Sequence, residues 1–258
     1  MTVRVLIHGA LGRMGTACVR ALQADAAAAT VAAFDRSPGN VLGVNVSTDL
    51  SGALADSDVV IDFSSPAATA NLARACRDAK KAAVIGTTGL DAGAHDAIRE
   101  LAAVAPVVVA ANMSPGVTVL LHLVKRATQL LGDGYDVEIT ETHHRNKVDA
   151  PSGTALRLAD QIADAKGWKR DDVLVHGRRG QVGARGKSEI GVHAVRAGDV
   201  VGDHTVLFAG EEERIEISHR AHSRDLFARG AVRAAMWVRA RKPGMYDMAD
   251  VLGILREV

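Results

Sequence analysis

The chain has 258 residues, 48% of them hydrophobic but only 3% aromatic, and 31 Lys and Arg against 30 Asp and Glu leave a formal charge of +1. That length suits one large or two modest domains, with a core drawn mainly from Ala, Val, Leu and Ile. Bulk neutrality excludes a strongly basic nucleic-acid binder and any general attraction to anionic membranes, while leaving room for a local basic pocket.

A strand pattern starts at once, over residues 3–7, with no signal-peptide layout, so a cytoplasmic chain is expected. Short apolar runs follow at 31–34, 59–63, 82–85 and 107–111. Continuous apolar strands of this kind suit a parallel sheet covered on both faces. Helical stretches lie between them. One opens with Ser65 as cap and Pro66 at the first helical position, then runs through Leu72, Ala75 and Cys76; another covers 92–104. Strand–helix alternation over this length predicts a doubly wound α/β domain. The longest apolar run, 101–111, is broken by Pro106 and falls short of the roughly 18 residues of a membrane span.

From about Ser114 the pattern changes. An apolar helix over 117–131 leads to a strand over 136–142, a loop, and a helix over 154–166 capped by Ser152 and stopped by Gly167. Only strand-like pieces follow, at 189–196, 200–209 and 214–219. In the last, Ile215 and Ile217 alternate with Arg214, Glu216 and Ser218, as in a sheet with one wet face. A final helix begins after Ser223 and ends near Arg241, before Pro243. Two domains are the better count. The cysteines, Cys18 and Cys76, have no metal spacing and are too few for a disulfide framework, so no metal is expected.

The first strand ends in Gly9-Ala10-Leu11-Gly12-Arg13-Met14-Gly15, followed by a helix. Glycines here let the chain turn tightly and approach a pyrophosphate, to which the helix N-terminus offers free amides. A purely steric turn also explains the glycines alone. The second strand, however, ends in Asp35, 20 residues past Gly15, close to the separation expected of a ribose-binding acid. Arg36 follows directly. A carboxylate there suits the ribose hydroxyls of NAD and an arginine the extra phosphate of NADP, so either cofactor remains open. Ligands of open α/β sheets bind at the carboxyl ends of the strands, here Phe63-Ser64-Ser65, Gly86-Thr87-Thr88-Gly89 and Ala110-Ala111-Asn112-Met113.

The densest cluster runs from Glu141 through His143, His144, Arg145, Asn146, Lys147 and Asp149 to Ser152, Gly153 and Thr154. A strand meets a cationic loop, which meets a capped helix start able to hold a carboxylate. His and Lys side chains serve as general acids near neutral pH. A solvated loop with a routine cap explains Ser152 but not so many donors beside it. A second basic stretch, Arg178, Arg179, Arg185 and Lys187 among glycines, reads as a flap or an inter-subunit loop.

On Gly9 to Gly15, Gly86-Thr87-Thr88-Gly89 and, above all, the E-T-H-H-R-N-K-V-D-A-P-S-G-T-A-L stretch from Glu141 to Leu156, the chain resembles the 4-hydroxy-tetrahydrodipicolinate (dihydrodipicolinate) reductase family of the diaminopimelate route to lysine. Supporting stretches are Gly183-Ala184-Arg185, Glu189 to His193, and Asp203 to Val206. The resemblance implies a Rossmann-like nucleotide domain, 1–112 with 222–258, and a C-terminal α+β domain, 113–221, whose open mixed sheet builds a homotetramer. It implies NADH or NADPH held by Gly9, Ala10, Leu11, Gly12, Arg13, Met14, Asp35, Arg36, Gly86, Thr87, Thr88, Ala110, Ala111, Asn112 and Met113. His143 and Lys147 are then the acid/base pair, and His144, Gly153 and Thr154 hold a small dicarboxylate substrate. Hydride from nicotinamide C4 reaches the ring as the 4-hydroxyl leaves, and an enzyme acid protonates the enamine-like carbon. The short stretch after Asp35, Met113 in an often aromatic place and Pro115 after Ser114 depart from the family pattern. They bear on the nicotinamide pocket and cofactor preference, not on the reaction.

Overall fold

The computed structural model describes residues 2–254, so residue 1 and residues 255–258 of the expected nucleotide domain lie outside the described residues. In chain order the elements are β1 (Val3–His8), α1 (Arg13–Gln23), β2 (Ala28–Phe34), β3 (Gly39–Val41), β4 (Val44–Ser47), α2 (Leu50–Ala55), β5 (Val59–Asp62), α3 (Pro66–Ala79), β6 (Ala82–Ile85), α4 (Ala92–Ala102) and β7 (Pro106–Val109). Then come α5 (Pro115–Leu131), β8 (Asp136–His143), α6 (Gly153–Lys166), α7 (Arg170–Val173), β9 (Leu174–His176), β10 (Ile190–Arg196), β11 (Gly202–Ala209) and β12 (Arg214–Ala221). The chain closes with α8 (Asp225–Val238), β13 (Gly244–Tyr246) and α9 (Met248–Leu252). Two compact units result, Met1–Pro115 with Asp225–Val258, and Gly116–Arg224.

The first unit is built on an eight-stranded sheet in the order β13-β7-β6-β5-β1-β2-β4-β3. Every neighbouring pair is parallel except the β3–β4 hairpin. Alternate residues feed opposite layers, because successive side chains of a strand point to opposite faces. Val5, Ile7, Ile61 and Val84 pack on one face with Cys18 and Val19 of α1 and Ala231 and Ala235 of α8. Leu6, Val60, Ile85 and Val107 pack on the other with Leu72 of α3 and Ile98 and Leu101 of α4. Helices cover both faces, which makes the sheet doubly wound and explains why its strands read as unbroken apolar runs. Ser65 caps α3 through Ala68 N, with Pro66 beginning the helix.

The second unit holds a five-stranded sheet, β12-β11-β8-β10-β9. β10 runs parallel to β8 and β9, and β11 antiparallel to β8 and β12, so the sheet is mixed. One face packs Val137, Ile139, Val206 and Phe208 against Leu120 and Val124 of α5 and Leu158 and Ile162 of α6. Ser152 caps α6, and Gly167 ends it at φ +68°.

Several expectations are corrected. The alternation with one wet face expected over 214–219 is weak: Ile215 is 40% exposed, and only Ile217 packs on the core. β12 is an edge strand, at the margin of the helix-covered face. The expected strand over 136–142 extends to His143, which places that histidine on the sheet instead of in the loop. The helix expected to be the last, α8, stops at Val238, short of Arg241, and β13 and α9 follow it. Among the elements with no sequence signal are the β3–β4 hairpin, α2, α7 and β13. Strands of three or four residues are too short to show a period, and the hairpin turn places Leu42 at φ +50° beside Gly43. Among the described residues no helix is long and apolar enough to cross a membrane.

Candidate active site

The glycine turn after β1 is dictated by steric room. Gly9 has φ +79°, and a Cβ on it would lie 2.6 Å from the Phe63 carbonyl oxygen. A Cβ on Gly15 would lie 2.2 Å from the Gly9 oxygen, so neither position accepts a side chain. Gly12 is the N-cap of α1 and offers no side-chain bond to the first turn, which contains no acid. An uncapped helix N-terminus behind a bare backbone turn is a fitting seat for a pyrophosphate. Asp35, just past β2, accepts hydrogen bonds from Leu11 N at 3.0 Å and Arg36 N at 2.8 Å, which anchors its carboxylate beside that turn.

At the carboxyl ends of β5, β6 and β7 lies a cleft of about 420 Å³. It brings together Arg13, Met14, Gly86, Thr87, Thr88, Ala111, Asn112 and Met113 with Phe63, Ser64 and Phe227. Gly9, Ala10, Leu11, Gly12, Asp35, Arg36 and Ala110 do not line it; the first four form the turn. Gly86 is required here, because a Cβ would reach within 2.2 Å of the Phe63 ring. Met113 is 1% exposed and belongs to the core as well as to the cleft. Phe227 escapes sequence reasoning because α8 enters this unit more than a hundred residues after β7, and no local pattern marks which of its apolar residues faces a ligand.

In the second unit β8 alternates strictly, so Val137, Ile139, Glu141 and His143 all point to its buried face. The last two are polar, and Glu141 is completely buried. One carboxylate there accepts four hydrogen bonds from three residues. Arg196 engages it with both terminal guanidinium nitrogens at 2.8 Å, Ser152 N donates at 3.0 Å, and His143 donates from Nδ1. Burial pushes the Glu141 carboxyl up, but the Arg196 and His143 bonds outweigh it and hold it below the ordinary carboxylate range. With Nδ1 committed to Glu141, His143 keeps Nε2 for chemistry. Gly202 keeps that nitrogen accessible, since a Cβ there would lie 2.9 Å away.

Lys147 is held by Asp149 at 2.7 Å, while His144 Nε2 accepts from Arg224 at 3.0 Å. Loss of solvent and the Arg224 charge push His144 below its ordinary pKa, which leaves a neutral ring with Nδ1–H as its donor. Gly153 and Thr154 are the first residues of α6, beside the Ser152 cap. Ser152 Oγ also bonds His204 Nε2 at 3.1 Å, and the His204 ring meets His143 edge-on at 5.1 Å. Glu141, Arg196 and His204 were not among the expected site residues. Glu141 was detectable, as a carboxylate in phase with two buried apolar residues of one strand; Arg196 and His204 arrive from other strands and carried no such signal.

Burial, reinforced by His143, lowers the His204 pKa to about 4. The unfolded chain then takes up a proton between pH 6.5 and 4 that the folded one refuses. Stability should therefore fall over that window by on the order of 3 kcal/mol. Urea midpoints of wild type and His204→Gln across this range test the point: the slope should be smaller in the variant, and an unchanged slope assigns it elsewhere.

Residues 3–113 match the model described as Dihydrodipicolinate reductase, N-terminus, and residues 116–252 match Dihydrodipicolinate reductase, C-terminus. The chain belongs to the dihydrodipicolinate reductase family. It is thus an oxidoreductase of a family that works with a nicotinamide cofactor. It is 50% identical to the 4-hydroxy-tetrahydrodipicolinate reductase of Anaeromyxobacter dehalogenans strain 2CP-1, over 97% of this chain and 98% of that one. The protein of the same name from Alkalilimnicola ehrlichii is 49% identical over 98% of this chain and all of its own length. Among solved structures, a dipicolinate-bound dihydrodipicolinate reductase from Paenisporosarcina sp. TG-14 superposes with a TM-score of 0.81 at 25% identity, over 99% and 100% of the two chains. A probable dehydrogenase from Thermotoga maritima, 15% identical with a TM-score of 0.64 over 96% of this chain and 92% of its own, shares the fold.

Proposed function

We propose that this reductase family member converts 4-hydroxy-tetrahydrodipicolinate to tetrahydrodipicolinate with NADH or NADPH, in diaminopimelate and lysine biosynthesis. The observation that carries the reading is the cluster around Glu141: a histidine oriented by a buried carboxylate, a paired lysine four residues on, and the Ser152-capped N-terminus of α6. The names of the relatives supply the substrate class.

In this reading Gly9, Ala10, Leu11, Gly12, Arg13 and Met14 receive the pyrophosphate, and Asp35 and Arg36 the adenosine ribose. Gly86, Thr87, Thr88, Ala110, Ala111, Asn112 and Met113 line the nicotinamide end. The cofactor, when bound, supplies a hydride. His144 offers its Nδ1–H, and Gly153 and Thr154 the amides of the α6 N-terminus, to a substrate carboxylate. His143 and Lys147 deliver the proton that balances the hydride. A proton donor held in place by a buried carboxylate loses little orientational freedom in the step. The open face of the second sheet is the surface we assign to a homotetramer; a single-chain mass by light scattering rejects it.

The test is oxidation of NAD(P)H in the presence of freshly condensed pyruvate and aspartate semialdehyde. Turnover should depend on both precursors. Arg36→Ala should raise the KM for NADPH roughly tenfold and spare NADH, whereas Asp35→Ala should weaken NADH by a similar factor. No substrate-dependent oxidation with either cofactor sinks the reading.

A further inference from the structure

Beneath the cleft lies a buried polar group that the proposed chemistry does not use. His8 ends β1 and Asp62 ends β5; they are 3% and 0% exposed. His8 Nδ1 and Ser64 Oγ each lie 2.6 Å from Asp62 Oδ1, while Thr69 Oγ1 at 2.5 Å and Thr87 Oγ1 at 2.9 Å approach Oδ2. Burial pushes the Asp62 carboxyl up, but these bonds, led by His8, outweigh it and hold it below the ordinary range. An ionised carboxylate only accepts, so all four neighbours donate. The His8 ring also stacks on Phe34 with centroids 5.1 Å apart, and the Phe34 carbonyl accepts the amides of Gly9 and Ala10. One histidine therefore braces the ends of β1, β2 and β5, and through Thr87 that of β6.

Two of the donors, Ser64 and Thr87, line the cleft. Their hydroxyl hydrogens are engaged by Asp62, and Thr87 Oγ1 further accepts from Ser64 N at 2.9 Å. Toward the cleft these hydroxyls show only lone pairs. That polarity welcomes the hydroxyl and amide donors of a nicotinamide riboside and repels phosphate, which the uncapped α1 N-terminus attracts instead. A buried histidine–carboxylate pair adds little net stability over apolar side chains of similar size, so folding alone does not account for it.

We infer that His8 is a positioning residue for the cofactor, acting through Asp62 to hold the Ser64 and Thr87 hydroxyls as acceptors on the floor of the cleft. The inference rests on reading this cleft as the cofactor site. In His8→Leu, Asp62 is left with an unfilled lone pair and draws on its neighbours. The KM for NADH should rise roughly three- to tenfold, with kcat within about twofold of wild type. His8→Asn, whose side-chain amide supplies a donor near the Nδ1 position, should recover most of the loss. Thr69→Val removes a donor from the other carboxylate oxygen without touching the cleft and should shift KM in the same direction. It provides the measurement should His8→Leu fold poorly. Arg13→Ala separates the two levels. Should it raise the KM for NADH while His8→Leu and Thr69→Val do not, the positioning role is overturned and the cleft remains the cofactor site. Should none of the three raise it, the cleft reading itself fails. A loss in which KM is unchanged and kcat falls, unrelieved by asparagine, also overturns the inference.

Discussion

Lys147→Ala is expected to lower kcat by roughly 10²- to 10⁴-fold, the range that a positioned proton donor contributes. The dissociation constant for NADH should stay within about twofold, because Lys147 belongs to the unit Gly116–Arg224 and the cleft proposed for the cofactor is built from the other. Stability should hardly move. The Lys147–Asp149 pair is partly solvated, with the aspartate side chain 55% exposed, and such pairs contribute at most about 1 kcal/mol. That combination separates a chemical role from a structural one: a large loss of turnover, intact cofactor binding and an unchanged urea midpoint. Steady-state kinetics with a fluorescence titration of NADH measure all but the last. Turnover within tenfold of wild type removes Lys147 from the proton-transfer step and leaves His143 alone to supply it.

The doubly wound sheet was legible in the sequence because its strands are covered on both faces. Residues such as Val59 to Ile61 or Ala82 to Ile85 are apolar without interruption, and their short length, β-branched content and alternation with helical stretches mark them as buried strands. The caps were equally plain, since Ser65-Pro66 and Ser152 with Gly167 follow from which backbone groups a helix end leaves open. Polar partners that arrive from distant chain were not legible. Arg196 reaches Glu141 across 55 residues, and Asp62 meets His8 across 54. Neither spacing carries a period, and each residue alone reads as an ordinary strand end. The sites are therefore legible where one segment carries them, as from His143 to Thr154, and illegible where sheet pairing assembles them.

Glu141→Gln should be the most damaging single-atom change in the second unit, and the reason is a count of donors. In the native arrangement Oε2 accepts from His143 and one Arg196 nitrogen, while Oε1 accepts from Ser152 N and the other. An amide has one acceptor and one donor end. Placed with its NH₂ toward His143, it opposes an Arg196 hydrogen and forces Nδ1 to become the acceptor, so the ring loses the carboxylate that holds it as a proton donor. Placed the other way, its NH₂ faces the Ser152 amide hydrogen and the second Arg196 nitrogen. Both orientations leave the guanidinium short of a counter-charge, although its side chain is only 20% exposed. Breaking a buried pair in this way costs roughly 3–5 kcal/mol, and the wrong histidine tautomer in a comparable carboxylate–histidine arrangement costs up to about 10⁴ in kcat. The pH dependence gives a further check. Because the folded carboxyl titrates below its ordinary value of 4.5, its stabilisation is complete above that pH and is lost as the medium becomes more acid. The gap in urea midpoint between wild type and Glu141→Gln should thus be widest near pH 7 and should narrow below pH 4.5. A gap that is constant with pH, or a variant with wild-type kcat, means that Glu141 holds the loop by packing alone and does not set the state of His143.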